Sequence, residues 1–292
     1  EFLTEIKDLG MNTLIVQYTA FKNPYNDITW FNSANAFTAT KSKHTLERVL
    51  ASAQRKGIEI HIGLHFDDTY WHHQTDVAWL QTQANYCIAI AEEIQAQFGT
   101  HSAFKGWYIP HEPEPNVYNT DEKVRLFREQ FVDRISSRLH QLNNKPVSIA
   151  AFWNSALTSA NQLQHFMAEL AKSHLQIIML QDGVGAQHVT LERLASYYEA
   201  AQRGLFEENK NYKGVFWSDL ETFASPNGEY PFEPATFDRV KQQLETALSI
   251  KKVSKVVSFQ YFDDMSTNSP HKTKADALRE AYKNYIKHKN SL

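Results

Sequence analysis

The chain has a single cysteine among its 292 residues, Cys87. One thiol cannot close an intramolecular disulfide, and it cannot be half of a Cys-x-x-Cys metal or redox motif. It leaves the compartment open, because one cysteine suits an oxidising or a reducing environment. Cys87 lies in a helical apolar pattern and reads as buried and inert. No apolar run approaches the ~18 residues that would mark a membrane span. Glycine and proline are sparse, at 10 and 9 residues, which excludes fibrous and low-complexity classes. No Lys/Arg block is present and the formal charge is -3, so no nucleic-acid partner is expected. No Gly-x-Gly-x-x-Gly or P-loop turn follows any strand pattern, which argues against an open nucleotide-binding sheet. Nothing in the chain calls for a cofactor, and the oligomeric state is not legible in it.

Aromatic residues are abundant, 13% of the chain with 6 Trp and 13 Tyr. Core packing takes many of them. Flat apolar rings also match the C–H faces of sugar rings.

Strand and helix patterns alternate along the whole chain. A helical stripe (Phe2, Leu3, Ile6, Leu9) ends at Gly10. Strands are expected at Asn12 to Gln17, Ile58 to Phe66, Gly106 to Pro110, Pro146 to Phe152, Gln176 to Leu180, Gly214 to Trp217 and Lys255 to Phe262. Helices are expected at Thr45 to Lys56, Asp76 to Phe98, Asp121 to Leu142, Ala160 to Ala171, Leu191 to Glu207, Pro234 to Ile250 and Lys274 to Lys287. A polar stretch, Phe21 to Lys43, reads as a wide loop. Such alternation implies a parallel sheet covered by helices. The fold class is therefore α/β, a (β/α)8 TIM barrel, in which the visible strands are the second to the eighth and the first lies outside this sequence. No linker interrupts the series, so residues 1–292 read as one catalytic domain.

Barrels of this kind build their sites at the C-terminal ends of the strands. The third strand ends in His65-Phe66-Asp67-Asp68, and the fourth in His111-Glu112-Pro113-Glu114. The fifth and sixth end in Phe152-Trp153-Asn154 and Gln181-Asp182. The seventh ends in Trp217-Ser218-Asp219-Leu220-Glu221, and the eighth in Tyr261-Phe262-Asp263-Asp264. Acids, amides and rings together are what a sugar site needs. Side chains alternate along a strand, so Trp217, Asp219 and Glu221 should share the face that looks into the barrel.

Here the chain resembles the large clan of barrel glycosidases that retain anomeric configuration. That clan carries its general acid/base glutamate after the fourth strand, usually in Asn-Glu-Pro, and its nucleophile glutamate at the end of the seventh. The matching places read Pro110-His111-Glu112-Pro113 and Ser218-Asp219-Leu220-Glu221, with His111 where the clan has asparagine. The pattern also looks like the bacterial glycosidase-like barrels grouped as domain of unknown function 4434. The resemblance implies Glu112 as acid/base, Glu221 as nucleophile, a carbohydrate substrate, and export to the periplasm or the medium. His65, His111, Trp153, Asn154, Gln181, Trp217, Asp219, Tyr261 and Asp263 are the candidate substrate contacts. In a retaining mechanism the two carboxyls stand about 5–5.5 Å apart.

Two other readings stand beside it. A carbohydrate-binding barrel would use the same aromatic mouth without a working carboxyl pair. A metal-dependent hydrolase would gather His65, Asp67, His111 and Glu112, and His72-His73 with Asp67-Asp68 invites a similar thought. Neither set has the His-x-His strand motif of metal-dependent barrels, and no metal site is expected.

Overall fold

The structure, a computed structural model, describes residues 2–226 and 231–290. Seven parallel strands form one curved sheet in chain order: Thr13–Val16, Glu59–Gly63, Phe104–Ile109, Val147–Ala151, Ile177–Gln181, Val215–Glu221 and Val253–Phe259. Helices on the outside separate them. The expected series is therefore present, and the sheet is a barrel closed except at one seam.

The seam lies between the first and last of these strands. The five inner strands are buried along nearly their whole length. Thr13–Val16 and most of Val253–Phe259 are only half-buried, and a cavity of about 550 Å³ lies against both. Lys255 reaches over from one side, its Nζ 2.8 Å from Thr13 Oγ1 on the other.

Local signals explain where elements start and stop. Gly57 ends the Thr45–Lys56 helix in the left-handed region, φ 64°, where a side chain would be strained. Asp76 and Thr120 cap the Val77–Phe98 and Asp121–Phe127 helices by accepting the N–H groups of Trp79 and Lys123. Ser159 and Gln162 form a reciprocal capping box. The expected Asp121 to Leu142 helix is continuous but contains a π-helical turn, Arg128–Val132. No helix of the described residues is long and apolar enough to cross a membrane.

Two cores follow from the alternation of side chains. Phe216 and Leu220 face outward into the large layer shared with the helices. Tyr108, Ala150, Ile177, Met179 and Trp217 pack together inside the barrel. Trp217 thus lies inward, as the period of two along Val215–Glu221 requires.

The strand expected to end at Trp217 runs on to Glu221, and three other boundaries also depart from the sequence expectation. The strand expected to reach Phe66 stops at Gly63. His65–Asp67 instead pairs with Ala20–Lys22 in a separate sheet of four short strands, which occupies much of the stretch expected to be a loop. The helix expected from Pro234 begins at Phe237, because Pro234 pairs with Phe223. The last strand stops at Phe259, and Tyr261–Met265 forms a short helix. Each change occurs where tertiary pairing competes with a local pattern that both conformations satisfy.

Candidate active site

A cleft of about 360 Å³ opens at the C-terminal mouth of the barrel. Every strand contributes to it through its end or the residues just beyond. The contributors in order are Gln17 and Tyr18, Phe66 and Trp71, Pro110 and Glu112, Phe152, Gln181, Glu221 and Phe223, and Phe259. Ala186, His188 and Phe232 complete the wall. Seven of these residues are aromatic, and no lysine or arginine is among them. Among the described residues, the two carboxyls in the wall are Glu112 and Glu221.

Glu112 projects from the end of the Phe104–Ile109 strand. Burial pushes its carboxyl up to about 7, against the pull of a Gln181 hydrogen bond. The backbone around it is anchored: the Tyr70 hydroxyl donates to the Glu112 carbonyl at 3.2 Å. The Phe152 N–H donates to the Pro113 carbonyl at 3.1 Å.

Glu221 is buried at the end of Val215–Glu221, and its Oε2 accepts the Ala186 N–H at 2.7 Å. That approach needs glycine at the preceding position, because a Cβ on Gly185 would stand 2.5 Å from the Phe223 carbonyl oxygen and 2.9 Å from Glu221 Cβ. Arg239 and Gln243 hold the Glu221 carbonyl from the helix behind, at 2.9 and 3.1 Å. Gln243 also donates to Asp182, at 2.6 Å. Burial raises the Glu221 carboxyl well above the usual range, and the charges of Asp182 and Asp219 push the same way. The Ala186 N–H and the Arg239 guanidinium oppose them.

Asp219 lies one layer deeper, between the mouth and the seam cavity. Burial lifts it to about 8, and the charges of Glu112 and Asp182 add to the lift. Asp182 is lifted to about 6 by burial, against Gln243 and the Val184 N–H. Among the described residues, the mouth and the layer beneath it therefore hold four carboxyls, Glu112, Asp182, Asp219 and Glu221, with the buried Arg239 guanidinium nearby.

The structure brings together Glu112, Gln181 and Glu221 in the cleft wall, with Asp219 beneath. It places the other candidates elsewhere. The His111 ring is enclosed by Phe66, Tyr70 and Phe131, on the side facing the helices. The His65 ring packs between Phe37 and Tyr86. Trp153 is buried, stacks on Tyr197 at 4.0 Å and donates Nε1–H to the Gln181 carbonyl. Asn154 accepts the Ala156 N–H and organises a turn. Trp217 lies deep inside the barrel beneath Lys255. Tyr261 donates to Glu5 at 2.9 Å, beside the seam. Asp263 accepts Gln260 Nε2 on the short helix.

These displacements have several causes: Trp217 faces inward below the mouth, Asn154 lies in a turn, and Tyr261 and Asp263 lie past the end of the last strand. A strand end shows two faces, and only alternate residues look inward. The residues that sequence reasoning passed over, Phe223, His188 and the Gly185-Ala186 backbone, belong to loops folded back over the mouth. Arg239 and Gln243 come from a helix whose pattern marks them as polar and nothing more.

The set His65, Asp67, His111 and Glu112 is not gathered for a metal ion. Among the described residues, the group whose ligand atoms lie within 4.8 Å of one another is Asp121, His165 and Glu169, on the outer surface. Cys87 is buried and its thiol donates to the His65 carbonyl.

The buried ionisable groups dictate a stability profile. A carboxyl whose pKa is raised on folding contributes stability below its ordinary value and loses it as pH climbs through the folded value. For Asp182, Glu112 and Asp219 that loss runs through about 6, about 7 and about 8. His61 and His65 are lowered by burial to about 4. Their contribution is complete above the ordinary histidine value and is lost as pH falls towards 4. Three raised carboxyls outnumber the two lowered histidines, so the thermal midpoint is expected to fall as pH rises from ~4 to ~8, with Asp219→Asn flattening that fall. A calorimetric midpoint that rises steadily to pH ~9 would contradict this.

Comparison with known proteins adds the following. A family model described as domain of unknown function (DUF4434) matches residues 1–274. The uncharacterised protein YbcH of Escherichia coli (strain K12) is 24% identical over 203 residues, 68% of this chain and 63% of that protein. The match thus spans less than two thirds of the relative's length. A candidate α-L-fucosidase from Bacteroides thetaiotaomicron VPI-5482 superposes with a TM-score of 0.76 at 18% identity, covering 97% of this chain and 84% of that one. The PgaB (BpsB) glycoside hydrolase domain from Bordetella bronchiseptica gives 0.58 at 11% identity, over 96% and 91%. The endo-1,4-β-D-mannanase from Thermotoga petrophila RKU-1 gives 0.58 at 11%, over 97% and 94%. At these identities the likeness establishes a shared TIM-barrel fold.

Proposed function

The chain belongs to the DUF4434 family, and from that premise we propose that it is a glycoside hydrolase working by double displacement, with Glu112 as acid/base and Glu221 as nucleophile. The observation that carries this reading is the joint presence of the two glutamates, from different strand ends, in one aromatic-walled cleft. The glycosidase names of several proteins that share the fold point the same way.

In the first step a Glu221 oxygen attacks the anomeric carbon, the glycosidic C–O bond breaks, and Glu112 gives its proton to the departing oxygen. In the second, Glu112 takes a proton from water, the water oxygen attacks the same carbon, and the ester bond to Glu221 breaks. The elevated carboxyl of Glu112 suits the first role, since it keeps a proton available near neutral pH. Burial and the Asp182 and Asp219 charges raise the Glu221 carboxyl, and the Ala186 N–H and the Arg239 guanidinium oppose that rise, toward the charged form that attack requires. Gln181 hydrogen-bonds Glu112, and its amide can also serve a sugar hydroxyl. Asp219 lies within electrostatic reach of both glutamates: it raises the proton affinity of Glu221, and its own is raised by Glu112. The aromatic walls take the C–H faces of the substrate.

The stereochemical outcome tests the mechanism. Proton NMR of the first product released from aryl glycosides of the gluco, galacto, manno and L-fuco series is expected to show the substrate's own anomer. Release of the opposite anomer would replace double displacement by single displacement.

A further inference from the structure

The rim of the cleft carries an aromatic surface without an evident packing purpose. Trp71 is 41% exposed although it lines the cleft. Its neighbour Tyr70 is fully buried, so the short helix Tyr70–His73 holds the indole outward on a fixed base. Phe152 stands edge-on to it, ring centres 5.8 Å apart and planes at 72°. Large apolar rings left half in water beside a cleft mark a place where something binds.

Its position relative to the carboxyls is specific. Trp71 follows the strand before that of Glu112, and Phe152 follows the strand after it. Both are tied to the backbone of the Glu112 segment. The Tyr70 hydroxyl reaches the Glu112 carbonyl, and the Phe152 N–H reaches that of Pro113. A second aromatic pair, Phe223 and Phe232, stacks at 4.4 Å on the Glu221 side. The cleft therefore has aromatic surfaces on both carboxyl sides, and Tyr18 and Phe66, stacked with ring centres 6.3 Å apart, line it as well.

We propose that the Trp71–Phe152 rim is the subsite for the leaving group, a sugar ring without anionic groups that stacks there while Glu112 protonates its glycosidic oxygen. This rests on the assignment of Glu112 as the acid. The group that departs must lie beside the group that protonates it, and this rim is the apolar surface at that place. Among the described residues, no lysine or arginine lines the cleft to pair with a uronate or sulfate.

Glycosyl fluorides separate this subsite from the rest of the cleft, because fluoride is too small to reach the rim. The test measures kcat/KM of wild type, Trp71→Ala, Trp71→Phe and Phe152→Ala on glycosyl fluorides of the gluco, galacto, manno and L-fuco series. The disaccharides with the same non-reducing sugars, ending in glucose or in glucuronate, complete the panel. Trp71→Ala is expected to lose about tenfold or more on the glucose-ended disaccharide, the equivalent of one stacking contact, and to keep the wild-type rate on the fluoride. Trp71→Phe should recover most of the loss, and Phe152→Ala should follow Trp71→Ala. The glucuronate-ended disaccharide should be the poorer wild-type substrate by a similar factor. Equal losses on fluoride and disaccharide would assign Trp71 to the scaffold or the other subsite and overturn the proposal, as would no loss on either. Equal wild-type rates on the two disaccharides would overturn the exclusion of anionic rings. If the wild type turns over no fluoride and no disaccharide, the glycosidase reading itself fails, and this subsite with it.

Discussion

Replacing Glu221 by glutamine is expected to lower kcat on any substrate of this protein by about 10⁴-fold or more, because the first covalent bond can no longer form. The fold should survive the change. A glutamine is isosteric, and its amide oxygen still accepts the Ala186 N–H. Stability should in fact rise on the alkaline side. Glu221 is buried and next to two other acids, Asp182 and Asp219, so a neutral side chain removes a repulsion that grows as these groups ionise. A loss of activity with a gain in thermal midpoint at pH ~8 is thus the expected signature. Glu221→Gly adds a chemical check. Azide fits the space left by the carboxylate, and the turnover it restores should yield a glycosyl azide of inverted configuration. Full activity in Glu221→Gln would remove Glu221 from the mechanism.

Glu112→Gln is expected to behave differently. A general acid contributes about 10²–10⁴-fold, and its contribution depends on how much help the leaving group needs. Disaccharides should lose most of that factor, while fluorides lose far less in the first step. The pH profile supplies a second readout. The acid must hold its proton in the first step, so kcat/KM on disaccharides should fall as pH rises through the Glu112 value of about 7. On fluorides, which need no protonation, that fall should be weak in wild type and absent in the variant. An unchanged alkaline limb in Glu112→Gln on disaccharides would mean that another group is the acid, and Asp219, held near 8, would be the first to test.

The two carboxyls differ in how they are held, and this bears on their roles. Glu221 is clamped from three directions: the Ala186 N–H at its carboxyl, and Arg239 and Gln243 at its carbonyl. Glu112 shares a single side-chain hydrogen bond with Gln181. A nucleophile gains from fixed placement against one carbon atom. An acid/base exchanges protons with both a departing sugar and an incoming water, and needs room to reach each of them.

Much of the fold was legible in the sequence, for a physical reason. A strand of a parallel sheet is buried on both faces, and a covering helix is apolar on one stripe. Ile177–Gln181 and the Thr45–Lys56 helix therefore announce themselves by period and composition. The alternation of such segments leaves few arrangements besides a barrel. The inward direction of Trp217, Asp219 and Glu221 was legible too, because the period of two along a strand is a matter of geometry.

The sequence could not decide which residues beyond a strand end turn toward the mouth. His111 precedes Glu112 by one residue, and its ring is sealed among Phe66, Tyr70 and Phe131. Tyr261 lies past the point where the last strand gives way to a helix, so its hydroxyl meets Glu5. These outcomes depend on partners distant in the chain, and local pattern carries no record of them.

By itself, then, the sequence determined an α/β barrel with seven visible parallel strands, and the inward face of those strands. Those properties follow from side-chain period and from the order of elements. Only the tertiary structure decided that Glu112 and Glu221 share one cleft, that Gly185 and Ala186 fold over to hold the second of them, and that Trp71 and Phe152 stand beside the first. Such meetings are made by loops and helices separated by tens of residues, and they exist only once the barrel has curved its strand ends around a common axis.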